Sequence, residues 1–242
     1  MHFNKIITII LFIILAFLVL LFKFSFAQDS DKYQKFRKEM VSRQIKARGI
    51  KDPMVIKAML KVERHLFMPE YIRGHAYKDS ALPIGEGQTI SQPYIVALMT
   101  EALELRPADR VLEIGAGSGY QAAILAEISQ EVYTIEILDT LCKRSEDLLK
   151  KLGYKNIFVK CADGFLGWPE KSPFDAIIIT CAVDKIPQPL IDQLAEGGRM
   201  VLPLGNPGYQ ELTLVLKKGE KAEQSFITNC IFVPMTGKQV DK

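Results

Sequence analysis

The sequence predicts an α/β protein with a mostly parallel sheet of about seven strands, covered by helices on both faces and finished by an antiparallel pair. Three observations lead there. From residue 93 onward, short apolar runs alternate with stretches of helical periodicity. The first of those runs, Arg110 to Ile114, passes directly into Gly115-Ala116-Gly117-Ser118-Gly119 and then into a helical stretch. The last two apolar runs, Leu212 to Leu216 and Phe226 to Val233, have no helix between them, so they pair antiparallel.

Residues Ile6 to Phe22 are apolar apart from Thr8, with Lys5 ahead of them and the small-x-small triplet Ser25-Phe26-Ala27 behind. A charged start, an apolar run and a small-residue cleavage site make residues 1–27 a signal peptide cut before Gln28, or an N-terminal membrane anchor; both remain open. Membrane contact is expected only through this segment. Residues 28–92 read as N-terminal helices and a substrate loop, and 93–242 as the ligand-binding core.

In the N-terminal part, Phe36, Met40, Val41 and Ile45 recur at helical spacing over Tyr33 to Arg48, and Gly49 ends the run. Asp52-Pro53 is a cap followed by a first-turn proline, opening a second helix to about Val62. Residues 63–91 carry Pro69, Gly74, Pro83, Gly85 and Gly87 and read as a long irregular segment, which in a compact domain usually serves function. Helices follow from Pro93 to about Leu105, Tyr120 to Ile128, Thr140 to Leu152 and Pro187 to Leu194, and strands at Val132 to Ile135, Ile157 to Lys160, Ala176 to Thr180 and Arg199 to Pro203.

Composition narrows the function. Of 242 residues, 24% are charged and 48% hydrophobic, the balance of a globular chain. The net charge is +3 and the basic residues are scattered among acidic ones, so nucleic acid is not an expected partner. The four cysteines, Cys142, Cys161, Cys181 and Cys230, form no CxxC pair. No metal site is expected, and no disulfide, because a chain of this length builds its own core. Cys161, Cys181 and Cys230 are read as small buried hydrophobes. His65 and His75 have no nucleophile or metal-ligand spacing around them and are assigned to packing or surface.

The glycine turn is a nucleotide-type site whose details exclude a dinucleotide. Counted from Gly115, the third position of a GxGxxG fingerprint falls on Tyr120. The spacing is instead ExGxGxG, with Glu113 two residues before the first glycine, where a carboxylate would repel a pyrophosphate and suit an ammonium or sulfonium cation. Glu136, closing the second strand, can accept two ribose hydroxyl protons. Asp163, beside Gly164 after the third strand, can accept from an adenine amino group. S-adenosylmethionine meets all of these requirements, with Glu113, Gly115, Gly117, Gly119, Glu136, Asp163 and Gly164 as the expected cofactor-binding residues.

Residues 82–97 (LPIGEGQTISQPYIVA) closely resemble the signature of protein-L-isoaspartate O-methyltransferases, as do 111–120, 174–180, Gly197-Gly198 with 201–205, and 232–235. The likeness is collinear over about residues 38–240. It implies a Rossmann-like class I methyltransferase sheet with extra N-terminal helices, S-adenosylmethionine as cofactor with S-adenosylhomocysteine as product, and a monomer. It implies as substrate the free α-carboxylate of L-isoaspartyl, and some D-aspartyl, residues in damaged proteins and peptides, whose ester closes to a succinimide and so leads to repair. That carboxyl has an ordinary pKa of roughly 3.5, so it arrives ionised and needs placing rather than deprotonating. The resemblance gives the placing to Ser91 and the pocket shape to Thr89, Ile90 and Val233. Position alone leaves Ser91 equally suited to capping the helix that follows. Family members are typically cytoplasmic, where the cofactor is made; residues 1–27 argue instead for an anchored or exported location.

Overall fold

The computed structural model describes residues 31–206, 208–219 and 221–237; the expected signal peptide or anchor lies outside them. The N-terminal stripe of apolar residues forms a helix over residues 31–40 (α1), which loosens into a π turn at Val41–Ile45 and a 3₁₀ turn at Lys46–Arg48. Gly49, at φ 99°, ends it. Met40, Val41 and Ile45 are buried, as their spacing requires. In α2 (Pro53–Lys61) the Asp52 carboxylate accepts from the backbone N–H groups of Met54 at 2.7 Å and Val55 at 3.1 Å, satisfying two donors the helix leaves open.

The segment 63–91 is more ordered than its sequence suggests. Two 3₁₀ turns, Arg64–Phe67 and Glu70–His75, precede a hairpin of β1 (Leu82–Gly85) and β2 (Gln88–Ile90). Glu86 and Gly87, both at positive φ (54° and 69°), make its two-residue turn. That geometry belongs to a type I′ turn, which usually announces itself with Asn or Asp before Gly, so Glu-Gly between two very short strands hides it.

Next come α3 (Pro93–Ala102), β3 (Arg110–Ile114), α4 (Tyr120–Ala126), β4 (Glu131–Glu136), α5 (Asp139–Lys151), β5 (Ile157–Cys161), β6 (Phe174–Ile179), α6 (Gln188–Asp192), β7 (Leu194–Asn206), β8 (Tyr209–Lys218) and β9 (Lys221–Cys230). The seven-stranded sheet runs in the order β5-β4-β3-β6-β7-β8-β9, parallel through β7 and antiparallel beyond it. Helix α6 is shorter and β7 longer than the periodicity indicates, because Leu194 already pairs with Phe174.

Side chains alternate between two cores. Val111, Val132 and Ile178 face the layer containing α2 to α5, while Leu112, Ile114, Tyr133, Ile135 and Ile179 face the layer of α6 and the C-terminal segment.

One expectation is overturned. Cys142 and Cys161 form a disulfide, with Cα atoms 5.6 Å apart. Cys142 is buried on α5, whereas Cys161 is exposed at the end of edge strand β5 rather than buried. Helix α5 lies back over β5, bringing together two residues 19 apart in sequence. A core argument about chain length cannot anticipate such a pairing.

Candidate active site

The sheet fixes where a ligand binds. From β3 the chain moves outward to β4 and β5, then returns to β6 on the other side of β3. The loops after β3 and β6 therefore diverge, opening a cleft at the carboxyl ends of the strands. The cleft encloses about 800 Å³ including its open mouth. It takes in the glycine turn, Glu113, Glu136, Thr89 to Ser91, and residues 233–236.

Gly115 and Gly117 form its floor. Gly115 sits at φ 97°, and a Cβ there would lie 2.6 Å from Thr180 Oγ1. That hydroxyl bonds the turn from the neighbouring strand end, 2.7 Å from the Gly115 carbonyl oxygen and 2.9 Å from that of Ile114. The Gly115 N–H donates to Ile135 O at 2.8 Å. Gly119 does not line the cleft; it caps α4 at φ 85° and lets that helix pack closely on Leu149 and Ser145 of α5.

Glu113 is completely buried. Its Oε2 accepts from the Thr134 hydroxyl at 2.6 Å, but its Oε1 has no partner. Burial pushes the carboxyl up to about 8, and the nearby Glu136 charge adds to the rise. An unsatisfied carboxylate oxygen on the wall of a cleft fits a ligand carrying a donor and a positive charge.

Glu136 is held rigidly. One oxygen accepts from Gly117 N at 2.8 Å and the other from Leu138 N at 3.0 Å. A carboxylate has about four acceptor sites, so two remain for vicinal hydroxyls. Asp163 accepts from Phe165 N at 3.0 Å, capping a 3₁₀ turn at Gly164–Leu166, and does not itself line the cleft. Gly164 does, and a Cβ on it would come within 2.5 Å of Ile114 Cγ2.

The opposite wall comes from distant parts of the chain. Thr89, Ile90 and Ser91 reach it from β2, and Val233 from the C-terminal segment. That segment is strapped to the sheet by Ala182 N to Val233 O and Met235 N to Ala182 O, both 2.8 Å. Ser91 is not the cap of α3: Gln92 occupies that position, with no side-chain cap bond. Thr89, Ser91, Thr180 and Val233 also border a neighbouring groove of about 1240 Å³ that opens to the surface, so the cleft and the groove share a wall.

Sequence reading missed Thr180, Thr134 and Arg64. Thr180 directly follows β6 at the switch point, a position that could have singled it out. Arg64 is fully buried, donating to the Ala76 carbonyl from Nε and to the Ser91 carbonyl from Nη2, each at 2.7 Å. In the sequence it looks like one basic residue among many. His65 packs as expected, stacked on Tyr33 and bonded to the Tyr77 hydroxyl, with burial lowering its pKa to about 4. His75 lies on the surface. Burial pushes the Cys181 thiol on the cleft wall up to about 12, so it is no competing nucleophile.

Residues 34–240 match the family model for protein-L-isoaspartate(D-aspartate) O-methyltransferase. The chain is 58% identical over 210 residues to protein-L-isoaspartate O-methyltransferase 2 of Shewanella sediminis, covering 86% of each chain. It is 53% identical to protein-L-isoaspartate O-methyltransferase 1 of Syntrophobacter fumaroxidans, covering 85% of this chain and 96% of that one. A solved protein-L-isoaspartate O-methyltransferase structure superposes with a TM-score of 0.77 at 31% identity, over 83% of this chain and 66% of the other. With a switch-point cleft suited to a cationic nucleoside and a match over nearly all of its described residues, the chain belongs to the protein-L-isoaspartate(D-aspartate) O-methyltransferase family.

Proposed function

We propose that Ser91 is the residue that holds the isoaspartyl α-carboxylate for methylation by this S-adenosylmethionine-dependent carboxyl O-methyltransferase. The observation that carries this reading is Ser91's position on the wall shared by the cofactor cleft and the open groove, free of any helix-capping duty. A substrate side chain entering from the groove meets that hydroxyl at the boundary.

The cofactor supplies an activated methyl group. The residues that would hold it are Glu113 for its cationic amino acid end, Glu136 for the ribose, and the Gly115 and Gly117 backbone for close approach. Gly164, with Asp163 behind it, suits the adenine end. Glu113 matches this role through its unpartnered oxygen, and Glu136 through its two fixed amide bonds. The chain's own task is then placement: the carboxylate is ionised, so no general base is required. The Ser91 hydroxyl donates to one carboxylate oxygen and leaves the other to attack. Ile90 and Val233 shape the pocket and keep water from the reacting atoms, and Thr89 borders the path of the peptide backbone. The ester then closes to a succinimide by attack of the neighbouring amide nitrogen with loss of methanol, and hydrolysis returns part of the damage to normal aspartate.

The test uses matched peptides, one with L-isoaspartate and one with aspartate, and labelled S-adenosylmethionine. Base-labile label enters only the isoaspartyl peptide. Ser91→Ala lowers kcat/KM by ~10–100-fold, the worth of one hydrogen bond to a charged group, while cofactor affinity holds. Unchanged turnover in that variant would remove Ser91 from the mechanism.

For location, family analogy and cofactor supply favour the cytoplasm, and we propose as the competing reading a catalytic domain held outside it. Two features support this: the signal-like composition of residues 1–27 and the Cys142–Cys161 disulfide, a bond that persists in oxidising compartments. Fractionation of cells expressing the full chain tests it; recovery with cytoplasmic markers and reduced cysteines would refute it.

A further inference from the structure

Arg64 is unusual among the charged groups of this protein. Its residue is 0% exposed. Its guanidinium is bonded to two backbone carbonyls, those of Ala76 and Ser91, and its Cζ lies over the Tyr120 ring, 4.8 Å from the centroid. Nη1 has no partner at all. Among the described residues it forms no ion pair, and the ionisable groups that act on it are the phenols of Tyr120 and Tyr77. Nearby Arg37 shows the contrast: it is also buried, but Glu63 stands 3.3 Å from its Nη1. Burying a cation without a counter-anion is costly, and a fold that can evidently place Glu63 beside Arg37 leaves Arg64 uncompensated.

The placement is specific. The carbonyl that Arg64 grips belongs to Ser91, the residue on the wall shared by cleft and groove. Tyr120, over which it lies, lines the same cleft. The guanidinium therefore sits one backbone carbonyl behind the point where an anion would be received. Arg64 itself is dry, so once a peptide fills the groove and excludes solvent, its fixed positive charge acts on that point with less screening than an exposed charge would.

We propose that Arg64 is a positioning residue for the substrate: it fixes the Ser91 backbone, and its unpaired charge makes the pocket selective for an ionised carboxylate. This rests on the reading of Ser91 as the carboxylate-holding residue. Such a pocket accepts the isoaspartyl α-carboxylate and disfavours a neutral isostere of the same shape. Desolvation lowers the Arg64 pKa to about 10, which leaves the group charged at neutral pH.

The test compares two peptides, identical except that the isoaspartyl α-carboxylate of one is an α-carboxamide in the other. Each is titrated into the full chain saturated with S-adenosylhomocysteine. Wild type is expected to bind the carboxylate ~10-fold or more tightly than the carboxamide, and Arg64→Met to bind both within ~2-fold, close to the wild-type carboxamide affinity. Arg64→Lys keeps the preference because it keeps the charge. Equal affinity of wild type for the two peptides would overturn the proposal without any variant. So would an equal loss for both in Arg64→Met with S-adenosylhomocysteine still bound, which would make the residue a structural support only. If Arg64→Met does not fold, the wild-type comparison and Arg64→Lys decide. A wild type that methylates no isoaspartyl peptide would instead break the functional reading, a result separable from these.

Discussion

The two walls of the cleft are built in different ways. The wall proposed to hold the cofactor, the cofactor wall, is local: Glu113, Gly115 and Gly117 lie within five consecutive residues, and Glu136 closes the neighbouring strand, locked to β3 by the register Ile114 to Ile135. Its parts are set by the parallel ladder and by backbone bonds such as Gly115 N to Ile135 O. The wall proposed to receive the substrate, the substrate wall, gathers a 3₁₀ turn, a small hairpin and the C-terminal strap, held by long side chains reaching backbone carbonyls. Arg64 grips Ala76 and Ser91, and Arg144 reaches from α5 to Ile84 O at 2.7 Å. A ladder fixes geometry through many shared bonds, whereas a side-chain tie concentrates it in one group. The cofactor wall should thus fail through backbone changes and the substrate wall through single side chains.

The largest effect sharpens this contrast by placing one β-carbon on the cofactor wall and another in the turn of the β1–β2 hairpin that carries the substrate wall. Gly115→Val brings a branched side chain to φ 97°, where even a Cβ lies 2.6 Å from Thr180 Oγ1. Backbone strain of ~1–3 kcal/mol adds to that clash. Affinity for S-adenosylhomocysteine, read by calorimetry, is expected to fall by ~100-fold or more. Gly87→Ala in the hairpin turn also sits at positive φ, 69°, but in open space. It should cost ~1–2 kcal/mol locally, raising the peptide KM while leaving cofactor affinity within ~2-fold. Equal losses of cofactor affinity in both variants would show that the walls are one mechanical unit.

The Cys142–Cys161 bond belongs to the cofactor side, since Cys161 pairs with Glu136 in register and Ala162 N donates to Glu136 O at 3.0 Å. It closes a loop of 19 residues. Loop entropy assigns such a crosslink ~3 kcal/mol, or ~6–12 °C in Tm for a chain of this size. A dithiol reductant should produce that shift in wild type and none in the Cys142→Ala/Cys161→Ala double variant, measured by thermal melting. An unchanged wild-type melt would mean that the bridge contributes nothing to stability.

This difference between walls also decides what the sequence disclosed. The parallel strands and the ExGxGxG turn could be read because they are local patterns with strong periodicity, and Glu113 and Glu136 stand at strand ends where the pattern puts them. The β1–β2 hairpin could not, because its strands are too short to alternate and its turn carries Glu86 in place of Asn or Asp. Arg64 was invisible for a deeper reason. Burial of a charged residue is decided by what packs around it, here Tyr120, Ala76 and Ser91 from three separate segments. The disulfide is of the same kind, set by α5 folding back on β5. Ser91 was legible as a position, but its freedom from capping emerges only where Gln92 takes the cap.

The smallest effect separates the walls by pH. Burial raises the Glu113 carboxyl from its ordinary 4.5 to about 8. Below pH 4.5 the group is protonated in the folded and unfolded chain alike. Between 4.5 and 8 the unfolded chain ionises while the folded protein retains the proton, so Glu113's contribution to stability is lost as pH rises through that window. A cationic cofactor favours the carboxylate, so its binding at pH 7 releases a proton. Affinity for S-adenosylmethionine should rise with pH from 6 to 8, by up to ~10-fold per unit, and level off above. Glu113→Gln should flatten that slope. On the other wall, Arg64 stays charged up to about 10 and His65 neutral down to about 4. Peptide binding to the protein saturated with S-adenosylhomocysteine should therefore be level from pH 6 to 8. A sloping peptide profile beside a level cofactor profile would reverse the assignment of the titrating group from the cofactor wall to the substrate wall.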